Sequence, residues 1–352
     1  MEVLIVGASA RAAAWSALRA GWKPVAIDRF GDRDLKAIAR TQRVPPPNTR
    51  RGLLLGARKY PDLPLIYTGA FENDPILVRD LARGRTLLGH SDEVLKWLRA
   101  HGTIGRFWHS QGVDAPRVAL KPKRLPTDGS WLAKPIRSAG GRAIRPYLGD
   151  GPTDGFYFQE RIEGRAGSAV FVADAPDRLR LLGATFQLLD GFRYAGSIGP
   201  WLMEAPLAMR VARLGEILLQ RFPMQGPFGI DFIVRNGVPW PVEINPRYTA
   251  SVEVLELARG HSVFDREVRH PVPQRFVGKQ IVFADRPGSF PHRLEWSLPG
   301  LWDVPEIADI PEPGEPIEAG QPVLSVMAEG DSIEAVGRLL HARHQEWLGL
   351  LA

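Results

Sequence analysis

The chain reads as an α/β protein in three parts, and three stretches predict it. Val3–Val6 is a continuous apolar run, followed by Gly7-Ala-Ser-Ala-Arg11, a helical stretch to Ala20, a stop at Gly21 and a second strand over 24–27. That order is a βαβ unit with buried parallel strands. Phe156–Gln159 is an aromatic strand leading into further strands over 169–173 and 181–189. The third stretch is Gly226–Arg247, where Phe228–Val234 and Trp240–Ile244 flank Asn236-Gly237, a strong short hairpin signal.

Composition narrows the partners. The 352 residues carry 45 Lys and Arg against 39 Asp and Glu, a net charge of +6 that suits anionic small molecules. No basic helix with interleaved aromatics appears, so nucleic acid is not an expected partner. Zero cysteines excludes disulfides, thiolate catalysis and Cys-based metal sites. No apolar run reaches the roughly 18 residues needed to span a bilayer. The chain opens directly on a strand, without the pattern of a signal peptide. The expectation is a cytoplasmic protein with no membrane partner.

Taken in order, the first turn lacks the second and third glycines of a dinucleotide fingerprint, so the βαβ unit is not predicted to hold a dinucleotide. The stretch 41–60 reads as a loop into a helix, and Leu65–Thr68 as a strand. Glu72 follows that strand's C-terminal end, where open α/β sheets bind ligands; the alternative is an acid at a helix N-terminus. The stretch 92–100 reads as a helix, and Arg106 begins a basic patch. Trp131-Leu-Ala-Lys134-Pro delivers one lysine to Ser138-Ala-Gly140-Gly141-Arg142, a turn whose amides can approach phosphate oxygens beside a point charge. The stretch 194–200 reads as a glycine-bearing loop able to close on a substrate. A helix over 205–221 leads into the hairpin. There Asp231 lies on the outgoing strand, and Glu243 and Asn245 share one face of the returning strand. Two carboxylates and an amide oxygen suit Mg²⁺, with Mn²⁺ as a substitute, completed by nucleotide phosphates. Arg247 follows at the same parity, placed to hold a phosphate or an anionic intermediate. The stretch 249–260 and the closing stretch 332–351 read as helices, and 279–284 as a strand.

Gly-Ile-Asp231-Phe, a turn, then Glu243-Ile-Asn-Pro-Arg247 resembles the magnesium hairpin of the ATP-grasp superfamily, and the lysine and glycine turn upstream resembles its lid. The resemblance implies a Rossmann-like pre-ATP-grasp domain (1–100), a two-subdomain ATP-grasp domain (101–285, lid about 115–165) and a C-terminal segment (286–352) completing its core. It implies ATP as cosubstrate. Arg106 would touch phosphate, with a surface arginine as the alternative. Gln159 or Glu160 would read the adenine edge while Ile162 packs on the ring, and Ser138, Gly140 and Gly141 would cover the phosphates. Many relatives have an acid where this chain has Ala166, so ribose contacts must come from elsewhere. Ser9, Glu72 and Arg247 would face the substrate.

The implied activity is carbon–nitrogen ligation of a small carboxylate and an amine through an acyl phosphate. The Gly-Ala-Ser-Ala-Arg start and Gly-x-x-Glu-Asn segment look like a group that includes the tyramine–glutamate ligases, which implies an amino acid substrate in cofactor or secondary-metabolite biosynthesis. A bicarbonate-activating enzyme like biotin carboxylase or carbamoyl-phosphate synthase is one alternative, and a non-catalytic ATP-binding regulator another. A homodimer is compatible with either.

Overall fold

The computed structural model describes residues 1–46, 49–265 and 275–351. Three sheets of four or more strands organise them, beside a two-stranded pair of Gly288–Ser289 with Pro316–Ile317. The first is parallel, with strands in the order Arg40–Arg43, Lys23–Asp28, Glu2–Gly7 and Leu65–Tyr67. The last three of these are buried on both faces, which their unbroken apolar runs require. The second is a small antiparallel sheet formed by Val118–Ala119, Phe156–Glu160, Trp131–Pro135 and Arg145–Pro146.

The third sheet is antiparallel and has eight strands. Their order is Val238–Asn245, Gly226–Arg235, Arg165–Ala175, Arg178–Asp190, Arg193–Gly199, Phe276–Phe283, Pro322–Gly330 and Ile307–Ala308. The last long strand therefore pairs inside the sheet, between Phe276–Phe283 and Ile307–Ala308.

Helix Ala205–Arg221 covers one face of this sheet. Val211, Leu214 and Leu218, spaced three and four apart, pack with Phe171, Phe228 and Phe232. Helix Ala250–Arg259 covers the other face. Its Val252 and Leu255 meet Ala13, Ala14 and Ala17 of helix Arg11–Arg19, which joins the parallel sheet to the large one through a single core.

Three local expectations need correction, and one helix has no counterpart among them. Arg40–Arg43 is an edge strand rather than part of a loop, and its polar residues leave it no hydrophobic alternation to read. His101–Ser110 is a separate helix, so Arg106 sits on a helix rather than opening a basic patch. Pro75–Ala82 is also a helix, begun by the Asp74 side chain, which accepts from the Leu77 N–H. Arg193–Gly199 is an interior strand rather than a closing loop. Gly196 suggests a turn there, yet it answers a close approach: a Cβ at that position would lie 2.1 Å from the Lys279 carbonyl oxygen. Among the described residues, no helix is long and apolar enough to cross a membrane.

Candidate active site

A cleft of about 540 Å³ lies between the small sheet and the large one. The hairpin builds its floor. Asp231 and Glu243 are direct cross-strand partners, and a register shift follows Asp231. The two carboxylates consequently face one another in a buried setting. Burial, then the Glu243 charge, pushes Asp231 up to about 6, although Ser168 and Gln187 hydrogen-bond to it. Glu243 is held below its ordinary range: burial raises it, but Lys134, Arg99 and Arg247 together outweigh that. Asn245 donates from Nδ2 to Asp231 Oδ2 at 3.0 Å.

Lys134 projects from the lid strand and is 6% exposed. Its Nζ donates to Gln159 Oε1 at 3.0 Å and to the Val242 carbonyl at 3.4 Å. Burial lowers its pKa, but Tyr157 and Glu243 more than compensate, so the ammonium stays charged. Arg247 donates to Glu72 Oε1 at 2.9 Å, to Asn245 Oδ1 at 3.1 Å and to the Tyr248 carbonyl at 3.2 Å.

The lid is tied down at two points. The Gly140 carbonyl accepts from the Tyr194 N–H at 3.0 Å, and the Ser138 carbonyl accepts from Asn73 Nδ2 at 3.0 Å. Gly141 has a φ of +73°, and a Cβ there would fall 1.9 Å from the Phe192 carbonyl oxygen. Only glycine fits that seat.

The structure therefore gathers Lys134, Gly140, Gly141, Gln159, Glu160, Ile162, Asp231, Glu243, Asn245 and Arg247 around one cleft. Several of them are placed differently from expectation. Gln159 presents no free amide, since Lys134 uses its oxygen and its Nε2 donates to the Val242 carbonyl at 3.1 Å. The Glu160 carboxylate pairs with Arg117 at 3.0 Å. Ser138 contributes its carbonyl to Asn73 and does not line the cleft. Arg106 is exposed and faces away from it.

Arg99 is the basic residue that reaches the hairpin instead, donating to Glu243 Oε1 at 3.2 Å, to Asn73 Oδ1 at 2.8 Å and to the Ile136 carbonyl at 3.1 Å. Glu72 is buried behind Arg247 as its counter-ion and lines neither the cleft nor the cavity beside it. Ser9 lines a neighbouring cavity rather than the cleft. Glu163 borders the cleft with an exposed side chain, 3.8 Å from Arg161.

Arg99, Ser168, Gln187 and Thr249 escape a reading of the sequence. Gln187 and Ser168 sit on strands whose period-2 pattern turns them toward Asp231, a pairing visible only once the strand order is known. Thr249 follows Arg247 at the same parity, which is a usable signal; its Oγ1 is buried without a partner.

The donor set fits Mg²⁺. Two cross-strand carboxylates confront each other in the described structure, and a divalent cation would relieve the repulsion that raises Asp231. Among the described residues no three of His, Cys, Asp and Glu converge as metal ligands, so the set needs the Asn245 oxygen and phosphates to complete it.

Residues 104–251 match the family model of the ATP-grasp domain. An uncharacterised protein of Methanocaldococcus jannaschii is 24% identical over 168 residues, 44% of this chain; the match spans about two fifths (41%) of that relative's length. Among solved structures, the L-amino acid ligase of Bacillus licheniformis is 14% identical with a TM-score of 0.70, covering 98% of this chain and 97% of that one. The biotin carboxylase domain of Hydrogenobacter thermophilus 2-oxoglutarate carboxylase, solved with MgADP and bicarbonate, is 14% identical with a TM-score of 0.72, covering 97% and 89%. The N-terminal parallel sheet, the lid and the hairpin of this chain share the fold of these enzymes, and residues 104–251 within it match the ATP-grasp domain.

Proposed function

We propose that the protein is an ATP-dependent carboxylate–amine ligase. The observation that carries this reading is the half-buried, cross-strand Asp231–Glu243 pair, which lines one cleft with Lys134 and the glycine turn. Asp231, Glu243 and Asn245 would hold Mg²⁺, which when bound supplies neutralisation and polarisation of the terminal phosphates.

Lys134 and the amides around Gly140 and Gly141 hold phosphate oxygens and keep water out. Ile162 supplies an apolar wall for the base. With the Gln159 amide and the Glu160 carboxylate both engaged, the adenine edge falls to the backbone of the linker. A carboxylate oxygen of the substrate attacks the γ-phosphorus of ATP and ADP leaves. The amine nitrogen then attacks the acyl carbon, expels phosphate and loses a proton, giving an amide. Arg247, fixed by Glu72 and Asn245, stabilises the negative charge that develops. No protein nucleophile is required. The division at about residues 100 and 285, with the lid over 115–165, belongs to the same reading. So do an amino acid as one substrate and a homodimer, the latter because the Hydrogenobacter domain is described as a dimer.

Phosphate release and product mass, measured over pairs of acids and amines, test it. Activity confined to bicarbonate would replace it with the carboxylase-like alternative. Binding of MgATP without turnover on any pair would replace it with a regulator.

A further inference from the structure

Beside the nucleotide cleft is a second cavity, of about 320 Å³, between the turns that end the parallel strands and the large sheet. The two share Tyr194, Arg247, Thr249 and Ala250. Its walls are mostly apolar, from Phe30, Ile281, Pro322, Val323 and Leu324, and its charged groups are Asp32, Asp309, Lys279 and Arg247, the last paired with Glu72.

The acids in this region are not equally engaged. Asp28 accepts from the Gly31 N–H at 2.7 Å and the Ala10 N–H at 3.3 Å. Asp34 accepts from the N–H groups of Asp309 and Ile310, at 3.0 and 3.1 Å. Asp309 takes Arg11 on one oxygen and Lys279 and Ser325 on the other, at 2.8, 2.8 and 2.6 Å. Asp32 is different: it is 5% exposed, lines the cavity, and its Oδ2 has no partner.

Charge counts the same way. Asp28, Asp32, Asp34, Glu253 and Asp309 interact here with the buried cations Arg11 and Lys279 and with the more exposed Arg43, so the acids outnumber the cations. The burial of Asp32 beside Asp309, Asp28 and Asp34 pushes its pKa well up, the cost of a carboxylate that lacks a counter-ion.

We propose that this cavity binds a small organic amine in its protonated form, with an apolar body against Phe30, Ile281 and Leu324 and its ammonium on Asp32. Its place as the amine substrate rests on the ligase reading; the binding itself does not.

Calorimetry on the full chain tests it with three probes of one shape: n-pentylamine, 1-pentanol and pentanoate, each with and without a non-hydrolysable ATP analogue and Mg²⁺. Pentylamine should bind at least about tenfold more tightly than either of the others, the least expected of a charged hydrogen bond. Asp32→Asn should abolish that preference while the protein stays folded, because the change removes a buried charge without a partner. Ile281→Trp, which fills the cavity and leaves Asp32 in place, should weaken all three probes, and it decides the matter if Asp32→Asn fails to fold. Equal binding of pentylamine and pentanol, preference for pentanoate, no amine binding, or an unchanged preference in folded Asp32→Asn would overturn the site. Amine binding with this preference but no binding of the ATP analogue would keep the amine site and remove the ligase reading. Nucleotide binding without amine binding would do the reverse.

Discussion

Lys134 holds its charge in a nearly dry place only because acceptors surround it: the Gln159 oxygen, the Val242 carbonyl and the Glu243 charge. The Lys134→Ala protein should bind ATP more weakly by about 1.5–3 kcal/mol, the worth of a charged hydrogen bond. Calorimetry with Mg²⁺ present measures it, and unchanged affinity in a folded variant removes the lysine from the phosphate site. Glu243 supports a sharper expectation. Glu243→Gln keeps shape and hydrogen bonding to Arg99 but deletes the charge that offsets Lys134, Arg99 and Arg247. Turnover should fall by at least about a hundredfold, as when one preorganised electrostatic group is lost. Normal phosphate release across a magnesium titration would contradict the assignment of the hairpin.

At the scale of elements, the lid is the part expected to move. It is fastened to the core by the Tyr194 N–H on the Gly140 carbonyl and to the N-terminal unit by Asn73 on the Ser138 carbonyl. Few bonds of this kind permit local opening. Hydrogen exchange over 136–142 should slow when an ATP analogue binds with Mg²⁺, and equal exchange in both states would exclude a lid. Gly141→Ala, which drives a methyl group toward the Phe192 carbonyl, should speed exchange in that segment without lowering overall stability by the same amount.

The hairpin and the lid strand were legible in the sequence because their signals are local: Asn-Gly between alternating strands, and one lysine before paired glycines. The strand Arg193–Gly199 was not, since Gly196 serves a neighbour, Lys279, that lies 83 residues on in the chain. Arg99 was missed in favour of Arg106 for a related reason. Which of two nearby arginines meets Glu243 depends on where the Asp92–Leu98 helix ends, and sequence places such ends poorly.

Across the whole molecule, one buried network joins distant parts of the chain. Arg11, from the first helix, forks onto both oxygens of Glu253 at 2.6 Å, and Lys279 donates to Glu253 at 3.0 Å and pairs with Asp309 at 2.8 Å. Burial would raise Glu253, but Arg11 and Lys279 overcome it and hold the carboxyl down at about 2. A carboxyl depressed on folding contributes stability that is complete above its unfolded value and is lost as pH falls toward the folded one. Acid should therefore weaken the fold between about pH 4.5 and 2, the stretch between the ordinary and the folded value. Glu253→Gln should flatten that part of the stability profile. It should also cost about 1.5–3 kcal/mol at neutral pH, the worth of a charged hydrogen bond, because Arg11 keeps Asp309 and Asp34 but loses the Glu253 charge. Thermal melts of both proteins across that range measure both effects.

The position of Pro322–Gly330 within the large sheet has a consequence for how the protein is made. A ribosome delivers Phe276–Phe283 well before the strand that completes it, so one long edge of the nascent sheet waits bare while residues 284–321 are synthesised. Unpaired edges of that length recruit other chains. Chains released early, or cut back from the C-terminal side past residue 321, should accumulate as aggregates rather than as smaller folded proteins, and slowing translation over that interval should lower the soluble yield.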